Sequence, residues 1–306
     1  VHFTNKSKQS NLYSKINYSI MQTIHKFIIL LLVVIGFACN TQPVAETVEN
    51  TDKIISLNGT LTEIICAIGL QNQLVGVDVT STFPNSLDSL PKLGHTRNLN
   101  TEAILALAPT LIFAVEGELK PETITQLEQT GAKVLLIKHE PTLQGSQNTI
   151  KALCAHFKKE ELAQQLINDL QNDLQKVQKL YHAPKVIFIY ARGAGTLMVS
   201  GKGTAMANII ELAGGVNPLL QFDDFKPLTP EFLLEANPDA FLLFDSGLES
   251  LQGIEGLLQI PGIAETNAGK NKKIIALDGQ LISGFGPRLG IAAQLINQKL
   301  KEINVE

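Results

Sequence analysis

The chain has 306 residues, of which 44% are hydrophobic and 18% are charged. This composition is typical of a globular protein with one or two sizeable cores, and it excludes an intrinsically disordered chain. The net charge is -4, tryptophan is absent and aromatic residues make up only 6%. The sequence contains neither a long basic run nor an aromatic platform, so nothing in it supports nucleic-acid binding.

The N-terminal region has the pattern of an export signal. After Met21, a short polar segment is followed by an apolar run at 27–37 and by small residues before Cys39. The apolar run is shorter than the roughly 20 residues of a membrane span, so 21–38 is predicted to be a signal peptide. Its end resembles a bacterial lipoprotein signal, which implies that Cys39 is lipidated. An ordinary signal peptide cut nearby is the alternative.

The residues around this signal carry no regular pattern. Residues 1–20 precede a plausible start Met and are interpreted as a spurious upstream extension. Residues 39–52 lack periodicity and are predicted to form a flexible tether. The protein is therefore expected to be exported and held at the bacterial cell envelope by lipid. Cys66 and Cys154 lie in apolar helical segments and are predicted to be buried free thiols.

From residue 53, short apolar runs alternate with helical patterns, which favours an α/β fold with parallel sheets. Strands are predicted at 53–57, 74–79, 111–115, 133–137, 185–190, 197–199, 240–244 and 273–277, and helices at 60–68, 101–107, 121–130, 204–213, 230–235, 253–259 and 290–303. Between 146 and 181, apolar residues recur every three or four positions without Pro or Gly. This favours one helix of about 35 residues, roughly 50 Å long, over two helices with a tight turn.

The predicted architecture is two α/β lobes with mostly parallel sheets, at 53–144 and 183–306, joined by a single long α-helix at 145–182. An internal repeat supports it. The segment at 101–113 aligns without gaps on that at 230–242, which places Glu102 on Glu231. The segment at 59–69 likewise aligns on 203–213. Two matches in the same order favour duplicated lobes.

Five sequence features resemble the class III periplasmic substrate-binding proteins of ABC importers, the group that binds cobalamin, siderophores and haemin. They are IISLNGTLTEIICAIG, NLNTEAILALAPTLI, the helix between the lobes, GKGTAMANIIELAGG and GFGPRLG. The segments LPKLGHTRNLNTE and SGKGTAMANIIELAGGVN make the chain most similar to the haemin-binding branch. The resemblance implies two lobes with a cleft, a membrane permease and its ATPase as partners, and haem as a transported ligand rather than a catalytic cofactor.

The resemblance also implies roles for individual residues. Glu102 and Glu231 match the glutamates, one in each lobe, that dock onto permease arginines. His95 stands where the haemin branch usually has a tyrosine that ligates iron, and a neutral imidazole can take that role. Arg97, beside it, is expected to bind a haem propionate. Arg192, at the end of a strand, is proposed as a second propionate partner.

Other candidates for the ligand site are less favoured. Arg288, in GFGPRLG, is interpreted as a residue that holds the lobe together. His139 and His156 are expected to lie outside the cleft. Tyr190 and Met198 are alternatives for a second iron ligand, although core positions are favoured for both.

Rival functions find less support in the sequence. The GKGT at 201–204 lacks the spacing of a phosphate-binding loop, and neither G-x-S-x-G nor H-E-x-x-H occurs. An enzyme is therefore disfavoured, although a dispersed catalytic triad leaves no sequence signature. A structural lipoprotein is disfavoured by the two lobes. Cobalamin or a ferric siderophore remains the alternative ligand.

Overall fold

The computed structural model describes residues 52–129, 131–195 and 197–303. The predicted upstream extension at 1–20, the predicted signal peptide at 21–38, Cys39 and the predicted tether as far as residue 51 lie outside these ranges. Among the helices that are described, none is long and apolar enough to cross a membrane.

The N-terminal lobe contains a four-stranded parallel sheet. In chain order its elements are β1 (Ile54–Ser56), α1 (Gly59–Ala67), β2 (Leu74–Val77), β3 (Gly94–His95), β4 (Asn98–Leu99), α2 (Thr101–Ala106), β5 (Leu111–Val115), α3 (Pro121–Glu128) and β6 (Lys133–Ile137). The order in the sheet is β2-β1-β5-β6, and every pair is parallel. All five residues of β5 are buried, as expected for a strand covered on both faces.

The prediction of one continuous helix between the lobes is wrong. Two helices occupy this stretch, α4 (Leu143–His156) and α5 (Glu160–Gln175). Lys158 lies between them with a φ of 54°, in the left-handed region that ends many helices. The backbone N–H groups of Lys158 and Lys159 donate to carbonyls in the last turn of α4. A lysine therefore takes the position usually held by glycine, and the periodicity alone did not reveal the turn.

The C-terminal lobe contains a five-stranded mixed sheet. Its elements are β7 (Val186–Ala191), β8 (Leu197–Ser200), α6 (Ala205–Leu212), β9 (Phe225–Pro227), α7 (Pro230–Ala236), β10 (Ala240–Phe244), α8 (Asp245–Ser250), α9 (Gly253–Leu258), α10 (Asn267–Lys270), β11 (Ile274–Leu277), α11 (Gly279–Ser283) and α12 (Leu289–Ile303). The order is β11-β10-β7-β8-β9. The first three strands are parallel, whereas β8 and β9 join antiparallel.

One hydrophobic core passes from lobe to lobe. It includes buried residues of α1 and β5 in the first lobe, of α4 and α5 between the lobes, and of β7, α6 and α12 in the second lobe. Helix α4 packs on α1, and α5 packs on both α4 and α12. Because protein cores are packed nearly as tightly as crystals, this continuous core opposes large movements of one lobe against the other.

Candidate functional site

Polar side chains gather at the carboxyl ends of the parallel strands in the first lobe. Asn58 follows β1, Asp78 follows β2, Glu118 follows β5 and His139 follows β6. Open α/β sheets place their ligands at this edge. The structure therefore gives the first lobe a polar edge at the position where a ligand is expected.

His95 lies on a short hairpin formed by β3 and β4. Gly94 has a φ of 92°, and a Cβ there would stand 2.6 Å from the carbonyl oxygen of Asn98, so the turn requires glycine. The His95 and Arg97 side chains are both exposed. The backbone N–H of Arg97 donates to His95 Nδ1 at 3.3 Å, which is long for a hydrogen bond. An accepting Nδ1 places the proton of a neutral ring on Nε2.

The hairpin is attached to a loop that reaches the second lobe. The backbone N–H of Val79 donates to the Gly94 carbonyl at 3.1 Å. Further along this loop, the backbone N–H groups of Thr82 and Phe83 donate to Gln280 Oε1 at 2.6 and 3.0 Å. His95 is therefore only a few residues from a direct contact between the lobes.

On the second lobe, neighbouring residues connect Gln280 with Arg192, the residue predicted to bind the second propionate. A Cβ on the neighbouring Gly279 would lie 3.6 Å from the Phe244 ring. That ring is 6.2 Å from the half-buried Tyr190 ring, and Arg192 Cζ lies 6.0 Å from the same Tyr190 ring. Arg192 and Gln280 thus both lie beyond the carboxyl ends of parallel strands of the second sheet, Arg192 after β7 and Gln280 after β11. Within the described ranges, no hydrogen bond joins His95 to Arg192.

Arg97 has an acidic neighbour. Desolvation raises the pKa of Glu118, while a hydrogen bond from the Asn58 side chain and the charge of Arg97 act in the opposite direction. The charge of Arg97 therefore favours the ionised form of Glu118, but desolvation of Glu118 outweighs it.

A buried ion pair joins the lobes. Arg288 Nη2 lies 2.9 Å from Glu63 Oε2, and the Arg288 backbone N–H donates to Glu63 Oε1 at 3.2 Å. The Arg288 guanidinium also covers the Phe83 ring at 3.7 Å, and Gln280 Nε2 donates to the Gly59 carbonyl at 2.9 Å. Burial raises the pKa of Glu63, and Arg288 opposes this rise. Arg288 therefore holds one lobe to the other, which is more than the role within one lobe that the sequence indicated.

His139 is also at the junction between the lobes. Its Nδ1 lies 3.0 Å from Thr149 Oγ1 in α4. Burial lowers the pKa of His139, and a hydrogen bond with the backbone of Gly284 opposes this. Because Gly284 belongs to the second lobe, His139 forms part of the contact between the lobes.

Glu102 and Glu231, here called the paired glutamates, occupy equivalent helix starts. Both are exposed, and the preceding caps are Asn100, which accepts from Ala103 N–H, and Thr229. Hydrogen bonds from its own backbone N–H and from the Thr229 side chain lower the pKa of Glu231. Each lobe therefore presents a solvated carboxylate at the start of an equivalent helix.

Sequence reasoning missed two residues of the junction, Glu63 and Gln280, and Glu118 at the polar edge of the first lobe. Glu63 is the single acid in the apolar helix that follows β1, and a charge in such a segment is a signal of a buried ion pair. Glu118 shortly follows the buried strand β5, where ligand sites are common. Gln280 gave no recognisable signal.

A sequence profile of the periplasmic binding protein family matches residues 54–281. The chain is a periplasmic binding protein. It belongs to class III of these proteins, the substrate-binding components of ABC importers, and its family and structural neighbours are transport proteins rather than enzymes. The two-lobe α/β fold predicted from the sequence is confirmed.

Two solved structures illustrate the similarity. The apo form of the periplasmic heme-binding protein RhuT from Roseiflexus sp. RS-1 is 35% identical with a TM-score of 0.80, over 83% of this chain and 99% of that chain. The heme binding protein HmuT is 29% identical with a TM-score of 0.76, over 85% and 86% of the two chains. HmuT has also been solved as alanine variants of a histidine, of a tyrosine and of the arginine two positions after that tyrosine.

Curated relatives add a second ligand class. The chain is 27% identical to the uncharacterized ABC transporter substrate-binding lipoprotein YvrC of Bacillus subtilis, over 78% of this chain and 76% of the relative. It is also 27% identical to the vitamin B12-binding protein of Salmonella typhimurium, over 82% of this chain and 91% of the relative.

Proposed function

We propose that this periplasmic binding protein captures haem between its lobes and delivers it to a membrane permease whose ATPase drives release. The observation that carries the proposal is an exposed imidazole, His95, on a hairpin beside the lobe junction with Arg97 two residues away. His95 would coordinate the iron through Nε2. Solved relatives named as heme-binding proteins, at up to 35% identity, support haem as the ligand class.

Coordination through Nε2 requires a change at His95. The proton must move to Nδ1, so the long hydrogen bond from the Arg97 N–H must be given up. At 3.3 Å this hydrogen bond is weak, and its loss opposes binding only slightly. The exposed guanidinium of Arg97 would bind a propionate.

The second lobe would supply the remaining contacts. Arg192 would bind the other propionate. Tyr190, two residues before it, would become a second iron ligand, a role that the sequence alone did not favour. The Tyr-x-Arg spacing also occurs in the set of HmuT variants, together with a histidine that comes earlier in the chain. The Phe244 ring, edge-on to Tyr190, would form part of an apolar wall.

The protein would be anchored and docked through its other predicted sites. Cys39 would carry the lipid that holds it at the envelope. The paired glutamates would contact permease cations, setting orientation more than affinity.

Cobalamin is the second candidate, because a relative of 27% identity is named as a vitamin B12-binding protein. The two ligands make different demands on the site. Haem offers two carboxylates and an iron with open axial positions, whereas the cobalt of cyanocobalamin already has both axial ligands and its corrin ring carries mainly uncharged amides. The exposed arginines at both lobes therefore favour haem.

Equilibrium dialysis of the full chain against haemin, cyanocobalamin and a ferric hydroxamate siderophore separates the candidates. We expect stoichiometric retention of haemin, with the other two ligands passing freely. Arg97→Met and Arg192→Met should each weaken haemin retention. Retention of cyanocobalamin in place of haemin would reject the haem proposal and leave the family assignment intact.

A further inference from the structure

Each lobe contains one copy of the same surface unit, a short helix followed by a buried strand. In the first lobe the unit is α2 and β5, and in the second it is α7 and β10. Both strands pair in parallel with the first strand of their lobe, β1 and β7 respectively. Both helices are followed by a residue with positive φ, 45° at Ala108 and 39° at Asn237, just before a buried proline. The two units therefore hold equivalent places in the two lobes.

Each unit exposes a leucine that contributes little to the core. Leu105 is 47% exposed and Leu234 is 54% exposed, at equivalent positions of the two helices. Each leucine follows one of the paired glutamates by three residues, so the two side chains share one helix face. Another exposed position of the unit has diverged, with Ala106 in one lobe and Glu235 in the other. The acid and the leucine are therefore shared by the two units, whereas this other exposed position is not.

We propose that Leu105 and Leu234 are the apolar contacts of two equivalent docking sites for a partner with two equivalent halves. Each half of that partner would carry a cation surrounded by apolar side chains. The cation would meet the glutamate, and the apolar side chains would cover the leucine. This inference rests on the proposed function, in which that partner is the membrane permease.

The physical argument concerns affinity. An exposed ion pair between long side chains contributes little because water and salt screen it. A leucine that loses its remaining contact with water contributes in proportion to the apolar area buried, without dependence on screening. The leucines would therefore supply much of the affinity, and the glutamates would supply register.

The test measures binding of the full, haem-loaded chain to its cognate permease–ATPase complex in lipid nanodiscs. Leu105→Ala and Leu234→Ala should each weaken binding about 5- to 20-fold, with the same factor at low and high salt. Leu220→Ala is the matched control, since Leu220 is 52% exposed and lies outside both units. It should leave binding unchanged. Alanine variants of the paired glutamates should weaken binding mainly at low salt.

The outcomes separate this inference from the proposed function. If the glutamate variants weaken binding and both leucine variants behave like Leu220→Ala, the inference is overturned and glutamate docking stands. An effect at only one leucine overturns the equivalence of the two sites. Failure of the wild-type protein to bind the complex overturns the docking proposal and this inference together, while haemin retention still tests the ligand independently.

Discussion

Replacing Arg288 by methionine removes the cation from the contact between the lobes. The substitution leaves the Glu63 side chain, which is 7% exposed, without its ionic partner at 2.9 Å. It also removes the guanidinium that covers the Phe83 ring. Gln280 Nε2 remains near the carboxylate at 3.4 Å and retains part of its hydrogen bonding.

The expected loss of unfolding free energy follows from the burial of the Glu63–Arg288 pair. Removing one partner of a buried ion pair costs about 3–5 kcal/mol, because the other charge stays buried and uncompensated. The Arg288 side chain is 19% exposed and Gln280 remains, so we expect the lower end of that range, about 3 kcal/mol.

The loss of stability in Arg288→Met should also depend on pH. Burial already raises the pKa of Glu63, and removing Arg288 removes the groups that oppose this rise. A carboxyl group whose pKa is higher in the folded state binds its proton more tightly there, so acidification stabilises the folded variant relative to the unfolded chain. The difference from wild type should therefore shrink as the pH falls from about 8 towards the ordinary pKa of glutamate, near 4.3.

Urea unfolding followed by far-ultraviolet circular dichroism measures both effects. Lys299→Met is the matched control, because the Lys299–Glu302 pair is more than half exposed and should contribute less than about 0.5 kcal/mol. A loss below about 1 kcal/mol for Arg288→Met, equal at both ends of the pH range, would refute the interpretation of Glu63 and Arg288 as a buried pair holding the lobes together.

Three further predictions concern the connecting helices, the junction and the ligand. Lys158→Gly should raise the free energy of unfolding by about 1 kcal/mol, since glycine adopts the φ of 54° without strain, and urea denaturation checks it. Burial lowers the pKa of His139, so the folded state binds its proton more weakly and stability should fall as the pH drops below about 6.5. His139→Gln should flatten this part of the stability–pH curve, although only in part, because the pKa of His156 is lowered too; an unchanged curve contradicts the assignment. The double substitution of Arg97 and Arg192 by methionine should weaken haemin binding by about 10- to 100-fold and leave the Soret maximum in place, as expected for propionate contacts that do not touch iron. A shifted maximum would argue against that role.

The sequence predicted most of the regular structure because the patterns are strong. The runs at 111–115, 133–137 and 240–244 are short, apolar and bounded by turn residues, and the structure has strands with these bounds. The hairpin at 94–99 was missed, because two-residue strands carry no periodicity. The break between α4 and α5 was missed because it depends on one lysine in a left-handed conformation, which local sequence does not mark.

The candidate site also contains residues that the sequence predicted and residues that only the structure revealed. His95, Arg97 and the paired glutamates came from motif resemblance, and the structure places all four in the solvent-exposed positions that their proposed roles need. The ion pair of Glu63 and Arg288 joins positions that are far apart in sequence, so only the tertiary structure brings them together. For Tyr190 a core position was favoured over the role of iron ligand, and the structure places this residue half-buried near the end of its strand.

The central claim is that His95 ligates haem iron, and a haemin titration of the wild-type protein, His95→Ala and His182→Ala tests it most directly. His182 is also an exposed histidine, but it lies in the connection before β7. We expect wild type and His182→Ala to give the same sharpened and shifted Soret band and the same low-spin electron paramagnetic resonance signal. His95→Ala should lose that signal and bind haemin more weakly. A His95→Ala protein with the spectra and affinity of wild type would contradict the account.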